Sequence, residues 1–482
     1  MSKTGIKRFL KRFGITLLVV AVIFIVAFYT LNAWLHVAPP ANLPAAPAAQ
    51  EAIHDRDFVA FEGCRLRHSA SGLWEMYLEG GAFERGVAAG KMTKDLLKYQ
   101  EEAFIAQIRR MIPSDAYLKF LRLFIGFFNR HLPDYIPEEY KHEIYGISLS
   151  CTDEYNMIGT PYERQLNYHS AHDLGHALQD YMLVGCTSFA GWNGSVEDSL
   201  LLVGRNFDFY VGEQFAENKI VAFYNPDKGY RFAMVTWAGM TGVLSGMNEK
   251  GLTVTINAAK SSVPASAATP ISILCREILQ YAANIEDACA IAKQRKTFVS
   301  ESILIGSAAD NRAVIIEKSP DKMDVYQSGK DWLVCANHYQ SEAFKDDKRN
   351  MENIATSDSP YRQRRAEELI AQHIPLDPQK AALILRDQKG IGGEDIGAGN
   401  ERAINQLIAH HSVIFLPQKG LMWVSTAPWQ LGKYVAYNLP EIFANPDFSR
   451  ELTTDGLTVP EDPFLYSDAY KTFIQNKKLN NE

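Results

Sequence analysis

An α+β fold is predicted, on three observations. Upstream of about residue 185 apolar residues recur three and four apart, the period of helix; downstream, short apolar runs bounded by turn residues mark strands. A separate apolar run near the start points to a transmembrane helix ahead of both. At 482 residues the chain is long enough for one large domain or two medium ones. Apolar residues make up 47% and charged residues 22%, ordinary for a globular protein. A net charge of −7 spread along the chain argues against nucleic acid as a partner. Cys64, Cys151, Cys186, Cys275, Cys289 and Cys335 show neither close pairing nor CxxC spacing. They form no disulfide framework and no zinc ribbon, and allow one or two disulfides whose pairing cannot be deduced.

Lys3, Lys7, Arg8, Lys11 and Arg12 precede an apolar run from Gly14 to Leu35, interrupted only by Thr16, Thr30 and Asn32. Such a run predicts a membrane anchor over 1–36, with the basic tip in the cytoplasm and the remainder on the extracytoplasmic side. A cleaved signal peptide is the alternative, and it exports the same part. Ala/Pro-rich sequence follows as a spacer, giving a linker over 37–55.

From Arg56 to Glu79 the pattern is short strands. Glu84-Arg85-Gly86 opens a helical stretch through Leu96, Leu97, Phe104, Ile105 and Ile108. Ser114 is a candidate cap for a helix carrying Leu118 to Phe128, and Pro137-Glu138-Glu139 suits the first turn of another. His169, His172 and His176 offer three imidazoles, two of them four apart. Asp173 stands where a zincin glutamate belongs, and Gly175 weakens the helix, so a metal role is the minor alternative. This part, 56–185, is the predicted α-chain.

Strands are predicted at Leu200–Gly204, Ile220–Tyr224, Phe232–Trp237 and on both sides of the turn Asn248–Gly251. Helices follow at Ile271–Ala283 and Ile285–Gln294, then strands at Ser302–Gly306, Ala313–Lys318 and Trp332–Ala336. Ser359-Pro-Tyr-Arg362 begins a further helix. Gly390–Gly399 lacks a phosphate-loop register and reads as a mobile loop. His411–Leu416 and Gly420–Ser425 are a last strand pair. The region 186–445 is the predicted catalytic part, and 446–482 a peripheral extension ending in a disordered polar tip.

Gly185-Cys186-Thr187-Ser188 lies at the junction of the two regimes, and Gly204-Arg205-Asn206-Phe207-Asp208 follows about one hairpin later, which returns a cation and a carboxylate to the sulfur. A free thiol is only a few per cent thiolate at neutral pH and needs a base or a cation. If the Gly185–Cys186 bond is cut, Cys186 gains an α-amine whose reference pKa of about 7.7–8.0 suits a general base. Before the cut, the same sulfur is placed to attack the Gly185 carbonyl, and glycine tolerates strain there.

These motifs resemble the N-terminal-nucleophile hydrolases of the cholylglycine hydrolase superfamily, within it the autoproteolytic branch typified by penicillin acyltransferase, and also acid ceramidase and N-acylethanolamine acid amidase. The resemblance implies a four-layer αββα sandwich, cutting between Gly185 and Cys186, and Cys186 as nucleophile. It places Asp208 and Arg205 about the α-amine and substrate. Gly246–Leu252 resembles a hairpin of bile salt hydrolases, which makes Asn257, with a one-residue shortening, a matching oxyanion donor; Asn337 matches the second. Ser359-x-x-Arg362 resembles the superfamily's S-x-x-R element, so Arg362 joins Arg205 in holding Asp208 ionised and keeping the Cys186 thiolate accessible. Arg364 and Arg365 fit either that element or a solvated face, and His338 is neighbouring structure. The segment Trp192–Ser199 is longer than in the relatives and is expected to reshape the pocket mouth.

The function so implied is a cysteine amidase or acyltransferase acting on a linear amide of the N-acyl amino acid or N-acyl lipid type, with no cofactor and no metal. The alternatives are a non-catalytic exported binding protein and a hydrolase using His169, His172 and His176. The oligomeric state is not set by the sequence.

Overall fold

Two stacked sheets organise the chain. The computed structural model describes residues 3–44, 51–55, 58–111, 114, 125–127, 129–170, 183–210, 212–262 and 267–481. The larger sheet has eleven strands in the order Ile53–Asp55, Phe58–Phe61, Cys64–His68, Trp74–Gly80, Ile220–Pro226, Phe232–Thr236, Ser245–Asn248, Leu252–Ala258, Glu301–Ser307, Arg312–Lys318 and Met323–Tyr326. Its neighbours are antiparallel except for Trp74–Gly80 beside Ile220–Pro226, which run parallel. The smaller sheet has six strands, Trp332–Cys335, Thr187–Gly191, Leu202–Phe207, His411–Leu416, Leu421–Ser425 and Tyr434–Asn438.

Period-two alternation sorts each strand between the layers. In the stretch from Leu252 to Ala258, Leu252, Val254 and Ile256 face the helices Ile271–Tyr281 and Ile285–Gln294, so Asn257 turns toward the other sheet. In Leu202–Phe207, Val203 packs between the sheets and Leu202 packs outward with Phe189, Leu369 and Ile384. The helices Ser359–His373 and Pro378–Leu385 therefore cover the smaller sheet, and Ala82–Met92 with its partner Glu138–Ser148 covers the larger. The order helix, sheet, sheet, helix is the expected αββα sandwich. Gly86 permits the close helix pairing, since a Cβ there would collide with the Glu143 backbone.

Several expectations need correction. The N-terminal stretch forms one helix, Lys3–Leu35. Among the described residues no helix is long and apolar enough to cross a membrane, so the transmembrane helix is unsupported. A third strand, Tyr434–Asn438, extends the predicted last pair. The tail carries a helix, Asp468–Asn481, whose Phe473 and Ile474 pack with Trp429 and Leu431 instead of trailing as a polar tip. Gly390–Gly399 is pinned: Gly392 N–H donates to the Glu368 carboxylate and Ile391 N–H to the Tyr361 hydroxyl. Trp192–Ser199 sits at the end of Thr187–Gly191 remote from Cys186, where Val196 bridges Leu376, so it does not border the sulfur. All six cysteines are free thiols. The helix expected after Ser114 falls mostly on residues 115–124, outside the described residues, as do His172, Asp173, Gly175 and His176.

Candidate active site

Cys186 immediately precedes Thr187–Gly191, and the register Ser188↔Arg205 brings the next strand's arginine alongside it. By alternation Cys186, Ser188 and Arg205 all face the interior between the sheets. Cys186 is 1% exposed, and an Arg205 Nη2–H points to its sulfur at 3.8 Å. The other guanidinium bonds of Arg205 go to the Ile256 carbonyl at 2.5 Å, the Leu244 carbonyl at 3.3 Å and the Ser245 hydroxyl.

His411 completes the seat of Arg205. Its Nε2 lies 3.3 Å from the guanidinium and 2.8 Å from Ser245 Oγ. Arginine has only donors, so His411 Nε2 accepts, and its Nδ1–H then donates to His410 Nδ1 at 2.9 Å. Burial holds both imidazoles well below their usual pKa, hence neutral. A doublet of histidines opening an apolar strand was the signal available for this pair, and sequence reasoning passed over it.

Asp208 follows the strand Leu202–Phe207. Its carbonyl accepts the Gly185 N–H at 3.0 Å and lies 3.8 Å from Cys186 Sγ. The carboxyl is 0% exposed, and neither oxygen has a hydrogen-bond partner among the described residues. Burial pushes it up to about 7, outweighing the pull of Arg362 and Arg205. Burial likewise pushes the Cys186 thiol up to about 11 against Arg205. The expectation that the arginines keep a carboxylate and an accessible thiolate is thus corrected for the uncut chain: desolvation wins over two nearby cations.

A pH dependence follows. Because the folded pKa of Asp208 lies above its ordinary value of 3.8, the folded state binds the extra proton. The stability of the uncut chain therefore falls as pH rises from about 4 to about 7, then levels. Asp208→Asn, placed in a Cys186→Ala background that stays uncut, should stabilise the chain at pH 8 by about 2–4 kcal/mol and by almost nothing at pH 4. Urea midpoints across that range check it, and a gap that does not widen with pH contradicts it.

Asn257 and Asn337 meet here and clasp the two sheets. Asn257 Nδ2 donates to the Cys335 carbonyl at 2.8 Å and its Oδ1 accepts from Ser188 Oγ at 2.6 Å. Asn337 Nδ2 donates to the Ala258 carbonyl at 3.0 Å, and Arg362 Nη2 donates to Asn337 Oδ1 at 2.7 Å. Each amide nitrogen carries a second N–H. Arg362 also donates to the Glu401 carbonyl at 3.0 Å. Ser359 Oγ accepts from Asn337 N–H and bonds His338 Nδ1, both at 2.7 Å. His338 is pushed down to about 4, chiefly by burial. Arg365, half expected on a solvated face, is buried against Asp387 at 2.9 Å, while Arg364 is exposed.

His169 is no ligand in this state: its Nδ1 meets the Gln165 carbonyl at 2.7 Å and its Nε2 meets Thr241 Oγ1 at 2.8 Å. Sequence reasoning missed Gln406, whose Nε2 donates to the Gly185 carbonyl at 2.7 Å across 221 residues; no motif marks it. A cavity of about 40 Å³ opens beside Phe209, lined by Leu97, Phe104, Phe215, Trp237 and Met240 with Gln165 and Tyr168 among its polar members.

Residues 192–394 match the model of the acyl-coenzyme A:6-aminopenicillanic acid acyl-transferase family; Arg205, Asp208, Asn257, Asn337 and Arg362 lie inside that span and Cys186 just before it. An uncharacterized protein of Archaeoglobus fulgidus is 24% identical over 304 residues, 56% of this chain and 50% of that protein. Protein dcd1B of Dictyostelium discoideum is 23% identical over 271 residues, 52% of this chain and 51% of its own. The chain spans about half the length of these curated relatives. Among solved structures, the Caenorhabditis elegans N-acylethanolamine-hydrolyzing acid amidase ortholog aligns at TM-score 0.36 and 18% identity, covering 48% of this chain and 93% of that one. Penicillin V acylase from Agrobacterium tumefaciens aligns at 0.35 and 14%, covering 53% and 87%. The resemblance carried by the Gly204–Asp208 motif and its companions thus meets a family match: over residues 192–394 this chain is similar to the acyl-coenzyme A:6-aminopenicillanic acid acyl-transferases.

Proposed function

We propose that the chain is a cysteine amidase or acyltransferase that activates itself by cutting between Gly185 and Cys186. The observation that carries this is the pinned junction: the Gly185 N–H is held by Asp208, its carbonyl by Gln406, and the sulfur that follows lies beside Arg205. The cut divides the 56–185 and 186–445 parts and gives Cys186 a free α-amine.

In turnover the α-amine takes the thiol proton as sulfur adds to the substrate's acyl carbon. The C–N bond then breaks, the leaving amine takes that proton, and a thioester remains on Cys186. Water yields the acid; a second amine yields a new amide. The second N–H groups of Asn257 and Asn337 serve the oxyanion, while Arg205 and Asp208 position the α-amine. The family match to acyltransferases agrees with acyl chemistry. The substrate class proposed, an N-acyl amino acid or N-acyl lipid, rests on the sequence motifs Gly185–Ser188 and Gly204–Asp208 and their resemblance to amidases.

A membrane location belongs to the same proposal. It rests on the basic flank and on the exposed Leu17, Leu18 and Ile23 of the N-terminal helix. Retention of the chain in carbonate-washed membranes supports it, and release into the wash counts against it.

Intact mass spectrometry and N-terminal sequencing of purified active protein test the core of the proposal. A fragment beginning at Cys186 is expected, with release of free acid or acyl transfer across a panel of N-acyl amides of varied chain length. Active material made of one unbroken chain sinks the mechanism.

A further inference from the structure

We infer that Gln406 is a catalytic residue of maturation, its side-chain amide being the donor that receives the oxyanion when Cys186 attacks Gly185. This rests on the self-cleavage proposed above. In that step Sγ adds to the Gly185 carbonyl carbon and the carbonyl electron pair moves to oxygen. The Cys186 nitrogen then leaves with the thiol proton, forming a Gly185 thioester on Cys186. Water releases Gly185 as a carboxylate and restores the thiol, so nothing beyond water is consumed.

Three features place Gln406 for this role. Its Nε2 already donates to the scissile carbonyl at 2.7 Å, and the residue is 4% exposed, so water does not compete. A preorganised donor in a dry site acts on the developing charge without reorganising. Its loop is fixed rather than draped. Asn206 Nδ2 donates to the Ile404 carbonyl at 3.0 Å and the Leu385 carbonyl at 2.8 Å. The Asn405 N–H is bonded to the Asp387 carbonyl at 2.9 Å. Asn206 itself is oriented by Ser412 Oγ, which donates to its Oδ1 at 2.6 Å. Finally, a Cβ at residue 185 would fall inside contact distance of both Gln406 side-chain nitrogen and oxygen. Glycine is needed there so that the amide can approach the carbonyl.

The Gly204–Asp208 stretch then has divided duties. Arg205 points inward to the sulfur, Asn206 points outward to hold the Gln406 loop, and the Asp208 carbonyl holds Gly185 N–H.

The test is a maturation time course of the full chain, made by cell-free synthesis and followed by intact mass, at pH 5 to 8. Gln406→Met keeps the length and removes the donor; it should slow cutting about 100-fold. Gln406→Glu keeps the shape but donates only when protonated, so its cutting should recover as pH falls relative to wild type at the same pH. That recovery is a signature a packing role would not produce, and it decides the matter even if Gln406→Met fails to fold. Wild-type cutting with Gln406→Met keeping pace, or Gln406→Glu lagging equally at every pH, overturns the role of Gln406 alone. A wild type that never cuts, or cutting in Cys186→Ala, overturns the cleavage itself and this role with it.

Discussion

Cys186→Ala should leave a single intact polypeptide with no measurable amide turnover. In the mechanism proposed above both losses follow from one atom, since there the same sulfur cuts the chain and attacks the substrate, and the α-amine exists only after the cut. A nucleophile and its base that act as one unit are lost together, so the effect is all-or-none and not graded. The fold should survive. Cys186 is buried with Phe207 and Ile256 in an apolar cluster, and removing one sulfur there costs about 1 kcal/mol. Intact mass and a thermal melt on one preparation separate the outcomes: an uncut chain melting near the wild-type precursor is the expected pair. A Cys186→Ala protein that still turns over amides would place the chemistry elsewhere.

Glu143→Gln should destabilise the fold by about 3–5 kcal/mol. Glu143 is fully buried between two arginines, with Arg85 Nη2 at 2.9 Å and Arg276 Nη2 at 3.1 Å. Arg85 also donates to the Gly80 carbonyl, and Arg276 donates to the Thr241 carbonyl at 2.8 Å. Neutralising the carboxylate removes the anion the two buried cations share, and leaves Arg85 only its longer carboxylate contacts, to Glu139 at 3.5 Å and Asp227 at 3.6 Å. Burial pushes the Glu143 carboxyl up, but the two guanidiniums outweigh it and hold the group below its ordinary value. A lowered pKa means that its stabilisation is present above the ordinary carboxylate range and is lost as pH falls through the folded value. The gap between wild type and Glu143→Gln in urea should therefore be full at pH 7 and close in acid. A constant gap down to pH 2 would contradict the ion-pair account.

The strands of the sandwich were legible as short apolar runs between turn residues, because central strands such as Ile220–Pro226 and Phe232–Thr236 are buried along nearly their whole length, and the helices by their three-four spacing. Ile285–Gln294 and His411–Leu416 match their predicted bounds. Cys186, Arg205 and Asp208 were legible as a group because one hairpin joins them. The protonation of Asp208 was misjudged. Sequence shows that arginines are near but not that water is absent, and at this site burial decides the sign. Gln406 was invisible because its contact with Gly185 exists only once the strand His411–Leu416 pairs beside Leu202–Phe207. Arg365 hid for a similar reason, its partner Asp387 lying beyond the next helix. The tail was misread because a helix of mixed composition gives a weak apolar stripe, and Phe473 and Ile474 find their neighbours only in the folded protein.

The crossed amides Asn257 and Asn337 have a mechanical consequence. Asn257 of the larger sheet takes the Cys335 carbonyl of the smaller, and Asn337, two residues past that strand, takes the Ala258 carbonyl of the larger. The gauge of the gap at the sulfur is thereby set by covalent side-chain length, as in two planks bolted in opposite directions. Neither plank can slide or lift without drawing both bolts, so the two layers beside Cys186 are held at one width.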